Sequence, residues 1–446
     1  MSIRRKLRSK FVNLLVSERA QSAQRSLAET RRHFSRRAHA VSVFLELDDP
    51  YSYLLALYLP SFAENYDIEL RYYLTQARND EAYRPRAVML AVYAEKDCMR
   101  LAAELGVPFL DKGRAPPVEH RRALIDSLAA IKNNPDFEDE LLESIALYWR
   151  GDSEGVARRI SGAGLSGEGD ALLAENEKRL ISLGHYNCAT LHYEGEWYWG
   201  VDRLHYLMDR LDKLGVRRES ASSTKLASIR QVMQVTLPVA KPSSAQQLPA
   251  LEIFYSFRSP YSYLCLNRTF AIADAFGLKL NVRPVLPMVM RGMQVPKSKL
   301  VYIANDTSRE ARRLEIPFGN FADPVGKGAE RCLAVFYYAK SEKRERDFLL
   351  SAGEAIWARG IDVATDKGMR KVTGRSGLFW PDVLAAMDDD AWQTKAEENR
   401  ESMMEAGSWG VPTFRLGDFV TWGQDRDWLL VRHVEELCDT GDGILI

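Results

Sequence analysis

The sequence predicts an α/β fold made of two consecutive domains, each a small sheet with a long helical insertion. The length of 446 residues is too great for one ordinary core and suits two or three domains. The chain also repeats itself at long range, because FLELDDPYSYL at 44–54 matches FYSFRSPYSYL at 254–264. YWGVDRLHYL at 198–207 likewise matches TWGQDRDWLL at 421–430. A duplicated domain explains both matches.

Each half shows the same order of elements between its two matched segments. The early match reads as a strand that runs into a helix, and a second strand follows, so this β-α-β order predicts a parallel pair. Long helical patterns come next, and a β-hairpin precedes the late match. The predicted second strands are 68–74 and 278–285, the helical insertions 81–183 and 298–406, and the hairpin turns Glu194-Gly195 and Gly417-Asp418.

Changes in composition predict the domain boundaries. Residues 1–40 form a basic amphipathic N-terminal helix, 41–214 the first domain, 215–250 a linker and 251–446 the second domain. The linker is indicated by small polar residues and by prolines such as Pro238.

The N-terminal helix is indicated by charge and by apolar spacing. Residues 1–37 carry eleven Lys and Arg against two Glu. The apolar residues at helical spacing are Ile3, Leu7, Phe11, Leu14 and Leu15. This helix is predicted to pack on the body of the protein, with contact to an anionic membrane surface or organelle targeting as alternatives.

Composition excludes several classes of function. The 61 basic and 61 acidic residues balance, so no overall field favours nucleic acid. No apolar run approaches the roughly 20 residues that span a bilayer, and no secretory signal is evident, which predicts a cytoplasmic protein without an integral membrane segment. The five cysteines show neither a C-x-x-C pair nor a metal-ligand spacing, so no dithiol redox motif and no metal site are expected.

A candidate anion site lies where the strand of the second repeat meets its helix. In Arg258-Ser259-Pro260-Tyr261, Ser259 suits the N-cap and Pro260 the first helical position. The amides and dipole at a helix N-terminus favour an anion such as a thiolate, and a hydroxyl there can donate to it. The alternative is that Ser259 only caps its helix.

Two later segments of the second half could complete a binding site. Pro412 directly precedes a strand, which favours a cis bond and would leave the Val411 backbone free to pair with an extended peptide. The alternative is an ordinary trans proline. Gln424 and Asp425 lie between the last strand and the last helix, where amides and a carboxylate can bind the amine and carboxylate of an amino acid. Asp425 is equally well explained as an N-cap.

Taken together, these segments resemble the kappa-class glutathione transferases and the 2-hydroxychromene-2-carboxylate isomerases, within the DsbA-like thioredoxin superfamily. The likeness covers residues 251–441. The matching motifs are Ser-Pro-Tyr-Ser at 259–262, Tyr-x-x-x-Asp at 302–306, Gly-Val-Pro-Thr-Phe at 410–414 and Trp-Gly-Gln-Asp-Arg at 422–426. The resemblance implies two tandem thioredoxin-like domains, each with a helical insertion, and glutathione as cofactor.

The resemblance also implies roles for single residues. Ser259 corresponds to the serine that hydrogen-bonds the glutathione sulfur, and Lys299 to a lysine near the glycyl end. The other residues implied in glutathione binding are Val411 with Pro412 for the cysteinyl backbone and Gln424 with Asp425 for the γ-glutamyl end. The family's Gly-Asn corresponds to Gly292-Met293 here, so one polar contact to glutathione is lost.

The first half resembles the same family but departs from it at the site. Asp49 stands where Ser259 stands, and a carboxylate there would repel a thiolate. Cys188-Ala189 replaces Val411-Pro412, so no cis-proline is expected. This half is predicted to have lost glutathione chemistry and kept its fold, as a built-in equivalent of a homodimer partner. Asp48 and Asp49 as an acid-base or metal pair is the alternative.

The function expected from the resemblance is a glutathione-dependent isomerase or transferase acting on a small conjugated, aromatic electrophile. Ser259 would stabilise the thiolate that attacks this electrophile. The alternatives are a non-catalytic glutathione-binding or scaffold protein and a protein thiol-disulfide oxidoreductase that lacks C-x-x-C. The expected assembly is a monomer that acts as a pseudo-dimer, or a homodimer.

Overall fold

The computed structural model describes residues 13, 16–78, 80–109, 118–162, 167–220, 224–239 and 248–440. The chain divides into two compact units. The first unit contains residues 23–232 and 296–302, and the second contains residues 233–295, 303–446 and the chain up to Ser22. None of the helices in these described ranges is long and apolar enough to cross a membrane.

The first half has the predicted order of elements. Its strands are β1 (Ala40–Leu45), β2 (Glu69–Leu74), β3 (Thr190–Tyr193) and β4 (Glu196–Trp199). Its helices are α1 (Glu18–Phe34), α2 (Pro50–Ala56), α3 (Leu59–Asn65), α4 (Ala87–Leu105), α5 (Val118–Ala130), α6 (Phe137–Arg150), α7 (Ser153–Gly162), α8 (Gly169–Ser182), α9 (Val201–Lys213) and α10 (Thr224–Val232). The segment between β1 and β2 is divided into α2 and α3, because Pro60 lacks the amide hydrogen that would continue one helix.

The second half repeats this order. Its strands are β5 (Leu251–Tyr255), β6 (Leu280–Pro284), β7 (Thr413–Leu416) and β8 (Phe419–Trp422). Its helices are α11 (Pro260–Phe276), α12 (Lys297–Arg313), α13 (Lys327–Ser341), α14 (Glu345–Trp357), α15 (Asp366–Arg375), α16 (Trp380–Asp388), α17 (Ala391–Glu405) and α18 (Asp427–Thr440), with a 3₁₀ helix at Met288–Arg291.

Each half contains one four-stranded sheet of the same topology. The strand orders are β2-β1-β3-β4 and β6-β5-β7-β8. β1 pairs in parallel with β2, and β5 with β6, whereas the hairpin strands run antiparallel. The predicted hairpin turns and parallel pairs are therefore confirmed. The central strands are rich in β-branched and aromatic residues whose side chains are fully buried, such as Val43 and Ile253.

The two halves also repeat long-range side-chain hydrogen bonds. Tyr51 donates to Asp97 over 2.8 Å, and Tyr261 donates to Asp306 over 2.9 Å. In the same way, the Asn176 amide donates to the Leu74 carbonyl over 2.7 Å and the Asn399 amide to the Pro284 carbonyl over 2.9 Å. These bonds connect the inserted helices to the strand-helix core of each domain.

Helix α1 is the described part of the basic N-terminal region. The apolar residues predicted to form its buried stripe, Ile3, Leu7, Phe11, Leu14 and Leu15, lie outside the described residues. Within the first unit, Arg25 forms a bidentate ion pair with Glu196 at 2.6 and 3.0 Å, and Tyr193 donates to Glu29 over 2.9 Å. The basic face of α1 is thus partly paired with acidic groups of its own unit.

The predicted linker, residues 215–250, contains helix α10. Its Leu226 and Ile229 are buried, and α10 contacts α9 and α4 of the first unit. The helix is not predicted from the sequence, because its few buried apolar residues lie in a mainly polar segment. The predicted boundaries at residues 40, 214 and 250 stay predictions.

Candidate functional site

Ser259 lies at the junction that the sequence predicts. It is the N-cap of α11, and its Oγ accepts a hydrogen bond from the Ser262 amide over 3.1 Å, with Pro260 in the first turn. The same Oγ donates to the Val411 carbonyl over 3.3 Å. Ser259 therefore caps its helix and also carries a hydroxyl hydrogen that points toward the Val411 segment. Both interpretations of this serine are compatible with its geometry.

The Val411-Pro412 bond is cis, as the sequence predicts. The preceding Gly410 is closely packed, because a Cβ built on it would lie 2.1 Å from Cζ2 of Trp422. Only glycine lets the Trp422 ring approach the backbone this closely. On the far side of the proline, the Gly423 amide donates to the Pro412 carbonyl over 3.0 Å. The cis bond is thus held between the Trp422 ring and the loop that begins at Gly423.

Gln424 is a buried part of that loop. Its Nε2 donates to Glu310 over 2.7 Å, and its Oε1 accepts from Arg268 over 3.1 Å. Arg268 also pairs with Asp427 and donates to the Gln424 carbonyl. The Gln424 side chain is only 1% exposed, so it holds the loop in place. Its predicted contact with a γ-glutamyl group stays a prediction.

Asp425 is the more accessible residue of this pair. Its side chain is 24% exposed, and its carbonyl accepts from the Trp428 indole over 3.0 Å. Helix α18 begins at Asp427, so Asp425 lies one residue before the cap position and the alternative reading as an N-cap is wrong. The side chain is therefore not needed to cap the start of the helix, and its predicted contact with an amine stays a prediction.

Lys299 belongs to the first unit, although it follows the second strand of the second half. Its Nζ donates to the Tyr83 carbonyl over 3.2 Å, and burial lowers its pKa to about 8. Its predicted role near the glycyl end of glutathione stays a prediction.

The charges next to Ser259 are internally balanced. Arg258 forms a bidentate ion pair with Asp323 at 2.7 and 3.0 Å. Tyr261 donates to Asp306, which also accepts from Arg309 over 2.9 Å. The N-terminal dipole of α11 adds to the local field at Ser259.

The equivalent site of the first half carries a carboxylate. Asp49 caps α2 by accepting from the Ser52 amide over 2.9 Å and from the Ser52 hydroxyl over 2.8 Å. Burial raises the pKa of Asp49 despite these bonds. Ala189, in the place of the cis-proline, has a left-handed φ of 54°. Both departures that the sequence predicts are present.

A second buried acid lies behind Asp49. Burial, assisted by Asp48 and Asp49, raises the pKa of Glu46 to about 7, while Arg84 opposes the shift at 3.9 Å. Its Oε2 has no hydrogen-bond partner among the described atoms. The buried Cys188 thiol is its neighbour, and burial raises the pKa of that thiol well above its ordinary value. These groups are acidic but not arranged as a metal site, since the described residues contain no cluster suited to a metal ion.

None of the five cysteines forms a disulfide. Cys265 is buried inside α11, and burial raises its pKa to about 12. It is a core residue and not a nucleophile.

Sequence reasoning missed the residues that support the site from a distance. Arg268 and Glu310 hold Gln424, yet they lie 156 and 114 residues away from it. Arg291 donates to the Trp409 carbonyl over 3.4 Å across 118 residues. Only Arg268 carries a local signal, because it is a single basic residue in the mainly apolar helix α11.

Comparison with known proteins finds similarity in the second half of the chain. The model of the DSBA-like thioredoxin domain matches residues 250–435. The chain is 26% identical over 196 residues to 2-hydroxychromene-2-carboxylate isomerase of Pseudomonas putida, covering 42% of this chain and 95% of that protein. It is 24% identical over 192 residues to the enzyme of the same name from Pseudomonas sp. strain C18, covering 41% of this chain and 89% of that protein. A solved structure of a 2-hydroxychromene-2-carboxylate isomerase is 25% identical, with a TM-score of 0.39, and covers 43% of this chain and 98% of that one.

The two sheets and the repeated order of elements confirm the predicted fold class of two tandem thioredoxin-like domains. With its sheet, its helical insertion and its cis-proline, the second half of the chain is similar to the DSBA-like thioredoxin domain, whose model matches residues 250–435.

Proposed function

We propose that the second domain is a glutathione-dependent isomerase that acts on a small conjugated, aromatic electrophile. One observation carries the proposal: a single serine hydroxyl lies at the N-terminus of α11 and also within hydrogen-bond distance of the backbone carbonyl that precedes a cis-proline. The names of the relatives point to the same reaction class.

The residues present fit glutathione. Ser259 is partly accessible and offers a donor, Val411 offers a backbone edge, and Asp425 offers a carboxylate for an amine. Bound glutathione supplies a thiolate, which can add reversibly to a conjugated double bond.

The chain's own contribution is to favour that thiolate over the thiol. Ser259 is the donor, because its Oγ hydrogen can turn from the Val411 carbonyl, where the bond is a long 3.3 Å, to a sulfur placed beside it. The dipole of α11 adds to this, and no general base is needed when the thiol pKa falls toward neutral. Each unit by which the pKa falls corresponds to about 1.4 kcal/mol.

In the same proposal the first domain has no glutathione chemistry. When ionised, Asp49 can only accept hydrogen bonds. It therefore cannot donate to a thiolate, and its negative charge would repel one. The isomerase is preferred over a transferase because three curated relatives are named as isomerases.

The test is a glutathione titration of the full chain near neutral pH, followed by the ultraviolet absorbance of the thiolate. We expect a thiolate signal with the unmodified chain and with the matched control Asp49→Ala, and its loss with Ser259→Ala. Turnover of 2-hydroxychromene-2-carboxylate is then measured with the same three proteins. A signal that survives Ser259→Ala would contradict the mechanism, and saturable binding without any turnover would favour the scaffold alternative.

A further inference from the structure

Arg291 lies close to the Val411 segment, where glutathione is predicted to bind. It ends the 3₁₀ helix Met288–Arg291, and Gly292 follows in a left-handed conformation with φ 82°. This sharp turn stops the helix at Arg291. Nη2 of Arg291 donates to the Trp409 carbonyl over 3.4 Å. Trp409 is two residues before Val411. The guanidinium therefore contacts the segment before β7, where the cysteinyl backbone of glutathione is predicted to pair.

The guanidinium has hydrogen-bonding capacity that the described residues do not use. Its Nε is buried and has no acceptor among them. The bond to Trp409 is long, so it is a weak one. Burial and the nearby charge of Arg400 lower the pKa of Arg291 to about 10, while Glu397 opposes this shift. Glu397 is already paired with Arg400 at 2.6 Å. A planar guanidinium in this position suits a carboxylate.

The direction of the bound peptide follows from the loop at Gly423. The Gly423 amide donates to the Pro412 carbonyl, so the residues predicted for the γ-glutamyl end, Gln424 and Asp425, begin on the proline side of Val411. A peptide that pairs across Val411 with its γ-glutamyl end on that side points its other end toward Gly410 and Trp409. The group at that other end of glutathione is the glycyl carboxylate.

The residues expected for the glycyl end from resemblance are otherwise engaged or absent. Met293 stands where a polar asparagine is expected and offers no donor. Lys299 belongs to the first unit, where its ammonium donates to Tyr83. Arg291 is two residues before Met293, on the same turn of chain.

We propose that Arg291 binds the C-terminal carboxylate of glutathione and makes the site selective for peptide thiols whose terminal carboxylate is free. This inference rests on the proposed function of the second domain. In this proposal Arg291, in the loop after β6, takes the role that the resemblance gives to Lys299 and to the asparagine replaced by Met293.

The test compares glutathione with its glycyl monoethyl ester, in which that carboxylate is blocked, by calorimetric titration of the full chain. We expect the ester to bind about tenfold more weakly, the size expected when a charge-assisted hydrogen bond is lost. In Arg291→Met the two ligands should bind equally, because glutathione loses affinity and the ester does not. Arg291→Lys should restore part of the difference, and exposed Arg346→Met is the matched control that should leave it unchanged.

Several outcomes would overturn the inference. Equal affinities of the two ligands for the unmodified chain would do so, and this measurement stands even if Arg291→Met does not fold. A preference for the acid that persists in Arg291→Met but disappears in Lys299→Met would assign the carboxylate to Lys299 instead. Absence of binding of both ligands to the unmodified chain would contradict the proposed function itself, and with it this inference.

Discussion

The two halves of this chain share a scaffold but differ at the residue that would perform the chemistry. Both keep the tyrosine-to-aspartate bond, made by Tyr51 and Tyr261, and both keep the asparagine that binds the end of the second strand. Both also cap the helix after the first strand with a side-chain oxygen. The fold thus depends on an acceptor at the cap and tolerates either an aspartate or a serine there.

The difference is in what the cap residue can donate. Ionised Asp49 only accepts, and it takes hydrogen bonds from both the amide and the hydroxyl of Ser52. Ser259 accepts from its helix and donates to Val411. Loss of the donor is therefore compatible with retention of the helix cap and of the fold.

The second difference lies in the residue directly before the third strand of each half. In the first half Ala189 has a left-handed φ, whereas Pro412 follows a cis bond, yet both carbonyls accept from the glycine that opens the last loop, over 2.7 and 3.0 Å. The loop register is kept while the backbone that precedes the strand is changed. Duplication followed by divergence at this position, with retention of the scaffold, accounts for both observations.

The largest effect should come from giving the second half the residue of the first. Ser259→Asp keeps the cap acceptor, so its free energy of unfolding should stay within about 1 kcal/mol of the unmodified chain. Its charge should repel the glutathione thiolate and lower turnover by about 100-fold or more. Thermal melting checks the expected stability. Thiolate absorbance and turnover check the expected loss of activity.

The reverse exchange provides the control. Asp49→Ser should keep α2 capped but should not produce a thiolate signal, because Cys188-Ala189 still replaces Val411-Pro412. A thiolate signal from Asp49→Ser in a chain that also carries Ser259→Ala would show that the cap alone decides the chemistry.

The local and repeated features of this fold are predictable from sequence. The two sheets, their hairpins, the cap at Ser259 and the cis bond before Pro412 depend on turn chemistry and on a repeat, both of which are visible in the chain. The departure at Asp49 is visible for the same reason, because the repeat shows what should stand there.

The supporting shell is less predictable because its contacts are distant. Gln424 reads as a ligand-binding residue from its motif, but Glu310 and Arg268 occupy its amide. Their sequence separation carries no local pattern. Helix α10 was hidden similarly, because two apolar anchors in a polar stretch give too weak a periodicity.

A smaller effect should separate the halves by pH. Glu46 in the first half has a pKa raised to about 7, and its counterpart in the second half is Ser256, which does not titrate. The pKa of Glu46 is near 4.5 in the unfolded chain and about 7 in the folded chain. The stability that Glu46 contributes below pH 4.5 is therefore lost as the pH rises to about 7. This loss amounts to up to about 3 kcal/mol.

Glu46→Gln should therefore make the first half less sensitive to pH between 5 and 8. Hydrogen exchange, corrected for intrinsic rates, measures local opening of peptides from β1–β2 and from β5–β6 in the same sample. The β5–β6 peptides serve as an internal reference. Equal pH dependence of β1–β2 in the unmodified and Glu46→Gln chains would contradict the assigned protonation of Glu46.

The smallest effect concerns a buried imidazole of the first half. His185 is 2% exposed, stacks on Trp197 with ring centroids 4.5 Å apart, and has no hydrogen-bond partner for either ring nitrogen among the described atoms. Its counterpart Ser408 is satisfied by Thr413 over 2.7 Å. Burial lowers the pKa of His185 to about 3, so stability is lost as the pH falls below 6.5, by about 2 kcal/mol at pH 5.

His185→Phe keeps the stacking ring and removes two unsatisfied nitrogens, so it should stabilise the first half by about 1 kcal/mol at pH 7 and by more at pH 5. Ser408→Ala should instead destabilise the second half by about 1 kcal/mol, equally at both values of pH, because it removes a satisfied hydroxyl that does not titrate. Chemical denaturation, with hydrogen exchange to assign the half that responds, checks the opposite signs. If His185→Phe destabilises the chain at pH 5, the imidazole has a hydrogen-bond partner in solution. The buried polar groups of His185 and Ser408 would then both be satisfied.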